Sequence, residues 1–212
     1  MKNKITFLVL FTILSVKLIG QNTAIVPKKI ELNKIPKEIK YTGKVKNAVS
    51  WKDKLGENIV VLTETGEFTT KNSDSEDSRD AALYAYHYIL SGKDSKLNWK
   101  IYDFIHDCPV DIEANFVKNT FNITDLNKDG IAEIWVMYTT VCHGDVSPST
   151  MKIIMHEGNE KFSMRGENKV KVDEKRYLGG KYTFDKPFND GPAAFREYAK
   201  KLWQKHVNKV WE

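Results

Sequence analysis

The sequence has few of the residues and motifs by which many enzymes and metal-binding scaffolds are recognised. Its 212 residues include only two cysteines, too few for a disulfide-dense secreted scaffold or a four-cysteine zinc centre. It contains no H-E-x-x-H, no G-x-S-x-G and no glycine-rich phosphate loop, the motifs of zinc proteases, α/β-hydrolases and nucleotide-binding folds. The sequence therefore indicates no catalytic centre of these classes.

Long hydrophobic runs are also missing, apart from a short one at the start. Met1-Lys2-Asn3-Lys4 precedes a mostly apolar run from Ile5 to Val16, which is shorter than the roughly 20 residues of a transmembrane helix. A basic start followed by a short apolar run is typical of a secretory signal peptide. We expect residues 1–20 to be a signal peptide cut after Gly20, with no membrane span after cleavage. An uncleaved membrane anchor is the alternative.

The charge balance is only weakly basic. The formal net charge is +5, and residues 1–20 contribute Lys2, Lys4 and Lys17 and no acid, so the remainder carries +2. This surplus does not indicate a nucleic-acid partner. Residues 21–40, rich in lysine and containing two prolines, predict an extended leader. The remaining chain, residues 41–212, is expected to form a single β-rich domain.

Cys108 and Cys142 are predicted to form a disulfide, because paired cysteines in an exported chain are usually oxidised. The loop that they enclose would stabilise the fold by about 3–4 kcal/mol in the chain-entropy model. A zinc site with His106 and His143 is the alternative. An oxidising compartment disfavours the free thiolates that zinc would need, and the adjacent Cys142 and His143 would have difficulty reaching one ion together.

Alternating and β-branched segments predict strands over most of the chain. The predicted strands are 41–51, 59–63, 83–90, 99–105, 116–124, 131–141, 151–156, 161–164 and 181–184.

The C-terminal segment has a different, helical spacing. Asp190-Gly191-Pro192 resembles a helix start, with Asp190 as N-cap, and five apolar residues then recur on one helical face. We expect a helix over about 190–211, docked on a sheet. The predicted fold class is mainly β: an antiparallel sheet or sandwich with one C-terminal helix. The apolar face comprises Phe195, Ala199, Leu202, Trp203 and Val207.

Residues 125–133 have the spacing of a calcium loop. Oxygen-bearing side chains occupy positions 1, 3, 5 and 9 of the segment, and Gly130 at position 6 permits a sharp turn. Because calcium requires six to eight oxygen ligands, these side chains and one carbonyl predict a Ca²⁺ site. A turn whose Asp and Asn side chains cap their own backbone is the alternative. The predicted ligands are Asp125, Asn127, Asp129, Ile131 (through its carbonyl) and Glu133.

The first nine positions of this segment resemble an EF-hand loop. The resemblance then ends, because Val136 stands where an EF-hand has a bidentate Glu and the following residues predict a strand. The segment more closely resembles the calcium loops of FG-GAP-type repeats, D-x-[DN]-x-D-G-x-x-[DE] before a strand. That resemblance implies bound calcium. Only one good copy is present.

A weaker resemblance covers more of the chain. It rests on W-x-D-x-x-G-x-N from Trp51, on the two cysteines, on T-D-L-N-K-D-G-I-A-E at 124–133, and on Tyr138 with Ser147-Pro148. This order resembles small secreted proteins of Bacteroidetes type, some labelled as surface polysaccharide biosynthesis proteins. The resemblance implies a role at the cell envelope and no particular reaction.

Aromatic residues on alternate positions of one predicted strand suggest a glycan contact. Tyr84, Tyr86 and Tyr88 would share a face, with Trp99 beside them, and flat aromatic rings stack on sugars. Packing between sheets uses the same residues and is the alternative.

Together these features predict an exported, non-enzymatic protein of the periplasm, outer surface or medium. It would be stabilised by calcium and linked to surface polysaccharide, with a polysaccharide or another envelope protein as partner. The alternatives are an envelope hydrolase acting on polysaccharide and an inhibitor or immunity-like protein. The hydrolase would need paired carboxylates, and the inhibitor an exposed apolar patch.

Overall fold

A computed structural model describes residues 24–69, 78–92 and 94–209. The predicted signal peptide, residues 1–20, lies outside the described residues. The described chain is mainly β, with antiparallel sheets and one long helix near the C-terminus. The predicted fold class is confirmed, and the arrangement is a sandwich. In the described ranges no helix is long and apolar enough to cross a membrane.

The first sheet, sheet A, is a meander in which sequence neighbours are also neighbours in space, in the order β1-β2-β3-β4-β5. Gly56, with φ of 120°, makes the tight turn between β2 and β3. The strands are β1 (Lys28–Lys29), β2 (Lys44–Asp53), β3 (Gly56–Phe68), β4 (Arg79–Ser91) and β5 (Asp94–Cys108).

The second sheet, sheet B, has the order β13-β10-β9-β8-β6, and β7 also pairs with β8. Its strands are β6 (Ile112–Phe116), β7 (Asn122–Thr124), β8 (Glu133–Cys142), β9 (Thr150–Glu157), β10 (Glu160–Glu167) and β13 (Tyr182–Phe184). A separate ladder joins β11 (Lys169–Lys171) to β12 (Tyr177–Gly179).

The prediction of one strand over 116–124 was wrong. That segment contains the end of β6 and all of β7, separated by a turn at 117–121. Asn119 adopts a φ of 61°, and the Thr120 hydroxyl donates to the carbonyl of Val117 at 2.6 Å. The turn at this left-handed residue interrupts the strand without reversing the chain, so both short strands run antiparallel to β8, one after the other along the same edge.

The two sheets pack face to face around an apolar interior. Alternate side chains of each strand point into it, because successive residues of a strand face opposite sides. The predicted disulfide is confirmed: Cys108 at the end of β5 is bonded to Cys142 at the end of β8, with 5.8 Å between their Cα atoms. It therefore links one sheet to the other. Interior residues include Val60, Leu62, Leu83, Ala85, Ile134, Val136 and Ile154.

A pair of helices covers the outer face of sheet B. The longer helix, α2 (Ala193–His206), buries Phe195, Ala199 and Trp203 completely. Asp190 was wrongly predicted as its N-cap, because Asp190 ends the short helix α1 (Lys186–Asp190). Pro192 occupies the N-cap of α2 and makes no side-chain cap there.

The predicted leader covers part of the outer face of sheet A. Ile30, Ile35 and Ile39 pack against this face, and two tyrosine hydroxyls fasten the end of the leader to it. The Tyr88 hydroxyl donates to the carbonyl of Lys40 at 2.6 Å, and the Tyr86 hydroxyl accepts from the amide of Thr42 at 3.2 Å. The leader is therefore a cover for the sheet. The sheet residues beneath it are Ala48, Ile59, Val61, Tyr86 and Tyr88.

Candidate functional site

The loop between β7 and β8 carries the side chains predicted to bind calcium. The Asn127 side-chain oxygen accepts from the Asp129 amide at 3.1 Å, and Asp129 Oδ1 accepts from the Ile131 amide at 2.8 Å. Asp125 Oδ2 accepts from the Gly130 amide at 3.2 Å. These contacts are those of a turn that caps its own backbone. A cation would compete with the loop amides for the same oxygens.

One oxygen of the loop has no such partner. Asp125 Oδ1 is buried and accepts no hydrogen bond from any residue in the described ranges. Leaving a buried polar group unsatisfied costs about 1–3 kcal/mol, and more for a charged one. The loop therefore fits a cation at this oxygen. The same ranges contain no group of three or more His, Cys, Asp or Glu side chains arranged to hold a metal ion. Asn127 and Asp129 would have to turn towards the cation.

Glu133, one of the predicted ligands, instead holds the loop closed. Its side chain is fully buried and accepts from the Thr124 hydroxyl at 2.6 Å and from the Leu126 amide at 2.8 Å. Burial raises the pKa of Glu133, against these hydrogen bonds, which lower it. Both carboxylate oxygens are engaged by the loop, so Glu133 shapes the site and does not face a cation.

Glu157, at the end of β9, is a carboxylate that the sequence did not assign to this site. It lies opposite Glu133 in the register of β8 and β9 and accepts from the Asn127 side-chain amide at 2.7 Å. Burial, and then the negative charge of Asp129, raise the pKa of Glu157 to about 7. Carboxylates thus gather at this end of sheet B. In the sequence, Glu157 is visible only as part of a hairpin turn.

The turn between β2 and β3 of sheet A is hydrogen-bonded to the loop between β7 and β8 of sheet B. Asp53 accepts from the Trp51 indole at 2.9 Å, from the Asn58 amide at 2.9 Å and from the backbone amide of Ala132 at 3.1 Å. The amide of Lys54 donates to the carbonyl of Gly130 at 2.9 Å. The W-x-D-x-x-G-x-N motif and the calcium-loop motif therefore meet in space, and Asp53 connects them.

Two buried histidines and two tryptophans form a stack between the sheets. Ring centroids are 5.4 Å apart for Trp51 and His87, 5.1 Å for His87 and Trp99, and 4.2 Å for Trp99 and His156. Burial lowers the pKa of His87 to about 4, against the nearby charge of Asp53. Burial, then the charges of Lys161 and His87, lower the pKa of His156 to about 3. Both histidines are therefore neutral at physiological pH.

The structure does not bring the four predicted glycan contacts together on a surface. Tyr86 and Tyr88 lie buried beneath the leader, and Trp99 is buried on the opposite, inner face of sheet A. Only Tyr84 is partly accessible. The shared face of the three tyrosines follows from strand alternation, but most of that face is already covered.

An exposed aromatic strip, defined as Tyr84, Tyr102 and Phe104, continues that face onto β5. Tyr102 is 48% and Phe104 50% exposed. The rings of Tyr84 and Tyr102 are 4.8 Å apart and those of Tyr102 and Phe104 are 5.0 Å apart, with interplanar angles of 9° and 15°. Because the rings face one another, the strip presents mostly ring edges to solvent. Alternation within the predicted strand 99–105 was the signal for this strip.

No protein-family model, curated protein or solved structure matches the chain. The fold and the sites define a disulfide-linked β sandwich with a carboxylate-rich loop at one end and an aromatic strip on one sheet.

Proposed function

We propose that this chain is an exported, non-enzymatic protein of the cell envelope that contacts surface polysaccharide and is stabilised by calcium. It would act in the periplasm, on the outer surface or in the medium. The disulfide between Cys108 and Cys142 carries the export proposal, because structural disulfides persist in oxidising compartments.

The N-terminus of the exported protein tests this proposal. Mass spectrometry of the periplasmic and secreted fractions should find a chain that begins near Gln21. In the native exported protein both cysteines should resist thiol reagents until a reductant is added. Intact Met1 in the membrane fraction, or stoichiometric labelling without reductant, would contradict export by a cleaved signal peptide.

Calcium binding is supported by the unsatisfied Asp125 oxygen and by the like charges around it. Asp129 and Glu133 each contribute to the raised pKa of Glu157. A divalent cation would relieve this repulsion and supply Asp125 Oδ1 with a partner. Since the loop contains few acids, we expect an affinity suited to millimolar extracellular calcium.

Melting temperatures in calcium and in chelator test the proposed cation site. Free calcium at about 100 times Kd should add about 2.7 kcal/mol to the free energy of unfolding. Asp125→Asn should abolish the difference, whereas Glu174→Gln, at an exposed acid on another part of the surface, should preserve it. Magnesium should substitute poorly because it demands a smaller octahedral site. Identical melting curves in millimolar calcium and in chelator would contradict the cation site and favour a turn that only caps its own backbone.

The aromatic strip supports the polysaccharide contact. Affinity electrophoresis through gels containing surface polysaccharide should retard the protein, and Tyr102→Ala should relieve most of the retardation. Tyr177→Ala is the matched control, because Tyr177 is 49% exposed on β12, outside the strip. Unchanged mobility of the wild-type protein would contradict the contact, and release of reducing ends from the polysaccharide would favour a hydrolase instead.

A partner-binding role, as an inhibitor or immunity-like protein, is favoured by a different property of the strip. The edges of its rings face the solvent, and β5, which carries two of them, is the last strand of sheet A among the described residues. Exposed apolar area on a terminal strand is typical of protein interfaces. A stoichiometric complex with one envelope protein, lost in Tyr102→Ala and kept in Tyr177→Ala, would support this second role. Polysaccharide binding without such a complex would count against it.

A further inference from the structure

A cavity of about 1110 Å³ lies between the leader and the adjoining ends of β2 and β3. The cavity exists because the leader pairs with β2 only briefly: Lys28 and Lys29 lie opposite Ser50 and Val49. The described leader residues before Lys28, 24–27, form no strand, and Trp51 of β2 lines the cavity beside them. Ligand pockets commonly measure about 300–1,000 Å³, so this cavity is large enough for a short oligosaccharide.

Positive charge dominates the wall of the cavity. Five lysines and three acids line the cavity, a surplus of two positive charges. Charge of one sign that lines a concave wall focuses the field and attracts the opposite charge. The lysines that line the cavity are Lys28, Lys29, Lys34, Lys52 and Lys54.

One of the three acids in the wall is paired with a cation. Glu31 forms an ion pair with Lys34 at 3.1 Å. Asp53 accepts hydrogen bonds from both sheets, including one from the Ala132 amide at 3.1 Å. Asp53 and Glu57 therefore remain as formal negative charges of the wall, and Glu57 lies opposite Lys52 in the register of β2 and β3.

Three of the lysines remain available to a ligand. Lys28, Lys29 and Lys52 have no ion pair or side-chain hydrogen bond among the described residues, whereas Lys54 donates to the Asp129 carbonyl. Lys28 and Lys29, as successive residues of β1, point to opposite faces of sheet A. Three ammonium groups on flexible stems around the cavity match a ligand with several separated negative charges.

Much of the remainder of the wall is apolar. Val26, Ile30, Pro36 and Leu90 contribute accessible apolar surface, whereas Trp51 and Ile59, which also line the cavity, are buried. Apolar walls with a few charged groups suit a ligand that has apolar faces and charged edges.

We propose that this cavity binds an acidic oligosaccharide, with its sugar rings against the apolar wall and its carboxylates held by Lys28, Lys29 and Lys52. The inference rests on the proposed contact with polysaccharide and names its chemical class as uronate-bearing. The site is separate from the aromatic strip, so the two can be tested apart.

Titration calorimetry of the cleaved protein with oligogalacturonate tests the inference. A neutral malto-oligosaccharide of equal length and inorganic phosphate are the comparison ligands. The wild-type protein should bind the acidic sugar best, with an affinity that falls as added salt shortens the screening length from about 10 Å towards 3 Å. Lys28→Gln/Lys29→Gln/Lys52→Gln should weaken binding about tenfold to a hundredfold, since each exposed ion pair contributes modestly.

A matched triple variant controls for the loss of overall charge. Lys171→Gln/Lys175→Gln/Lys181→Gln removes three exposed lysines outside the cavity and should change affinity by less than about twofold. Both triple variants should keep the wild-type circular dichroism spectrum and melting temperature.

The contrary outcomes separate this inference from the proposed function. Equal weakening in both triple variants, equal binding of phosphate, or no binding of oligogalacturonate would each overturn the acidic-sugar site. If the neutral sugar binds as well as the acidic one, and Tyr102→Ala removes that binding while the cavity variant keeps it, the polysaccharide contact stands and the cavity inference fails.

Discussion

The outer faces of the two sheets are covered in different ways. Helix α2 covers sheet B and buries Phe195, Ala199 and Trp203 completely. An extended leader covers sheet A, and among its described residues only Ile39 is buried to a similar degree, while Tyr102 and Phe104 on that face remain about half exposed. One face is closed by a helix and the other is only partly closed.

The difference follows from what each covering element can present to a sheet. A helix satisfies its own backbone hydrogen bonds and presents an apolar stripe at every turn. An extended segment presents only alternate side chains, and its backbone depends on the sheet for partners. The leader therefore leaves an aromatic strip and a lysine-lined cavity accessible, and both proposed binding surfaces lie on its side of the molecule.

Trp203→Ala should give the largest loss of stability, because it empties a large volume beneath α2. The free energy of unfolding should fall by about 3–5 kcal/mol, as for other buried tryptophans. Chemical denaturation measures this change. Lys201→Ala, at an exposed position of the same helix, is the control and should cost less than about 0.5 kcal/mol. If Trp203→Ala lowered the free energy of unfolding by less than about 1 kcal/mol, α2 would not be tightly packed on sheet B.

Acid should weaken the interior shared by both faces. The pKa of His87 falls to about 4 and that of His156 to about 3 in the folded protein, against about 6.5 when unfolded. Below pH 6.5 the two histidines therefore bind protons in the unfolded chain but not in the folded one. Their contribution to stability decreases as the pH is lowered, until the pH reaches their folded pKa values. The loss due to the two histidines should be several kcal/mol. Glu157 acts in the opposite direction, because its raised pKa of about 7 makes the folded chain bind a proton before the unfolded chain does, so the observed loss should be smaller.

Unfolding curves between pH 7 and pH 4 measure this loss. His156→Phe keeps an aromatic ring beside Trp99 and removes one titrating group, so its stability should depend less steeply on pH than that of the wild-type protein. Identical slopes for the two proteins would contradict the assignment of the loss to the buried stack.

Ile39→Ala should give a smaller loss, of about 2 kcal/mol, at the lower end of the range for buried aliphatic residues. Ile39 is 4% exposed but belongs to the thin extended cover itself. The variant should also speed proteolysis within the leader more than elsewhere, because local opening there requires few contacts to break. Limited proteolysis with mass spectrometry would detect the first cuts. First cuts inside sheet B would be the opposite of this expectation.

Much of the fold was predictable because its strands follow simple periodicities. The mainly β class, the disulfide, the strands predicted over 151–156 and 161–164 and the apolar stripe of α2 were all predicted and confirmed. The single strand predicted for 116–124 failed because periodicity does not reveal a left-handed turn at Asn119. The predicted start of the C-terminal helix was wrong because Asp190 ends a separate short helix, α1, and α2 begins only at Ala193.

The sites were less predictable because they depend on register and on layering. Glu157 reaches the loop only because β9 places it opposite Glu133, and Asp53 reaches it from the other sheet. Alternation correctly put Tyr84, Tyr86 and Tyr88 on one face, but nothing local to them indicates that the leader covers two of the three. Long-range placement of this kind is not encoded in short spacings.

Backbone hydrogen exchange in the free protein tests the unequal covering of the two sheets most directly. Amides of β1 and of the leader from Ile30 to Lys40 should exchange through local opening, well below the global free energy of unfolding. Amides of α2 and β9 should exchange only through global unfolding. Equal protection of the leader and α2, or faster exchange in α2, would contradict the account.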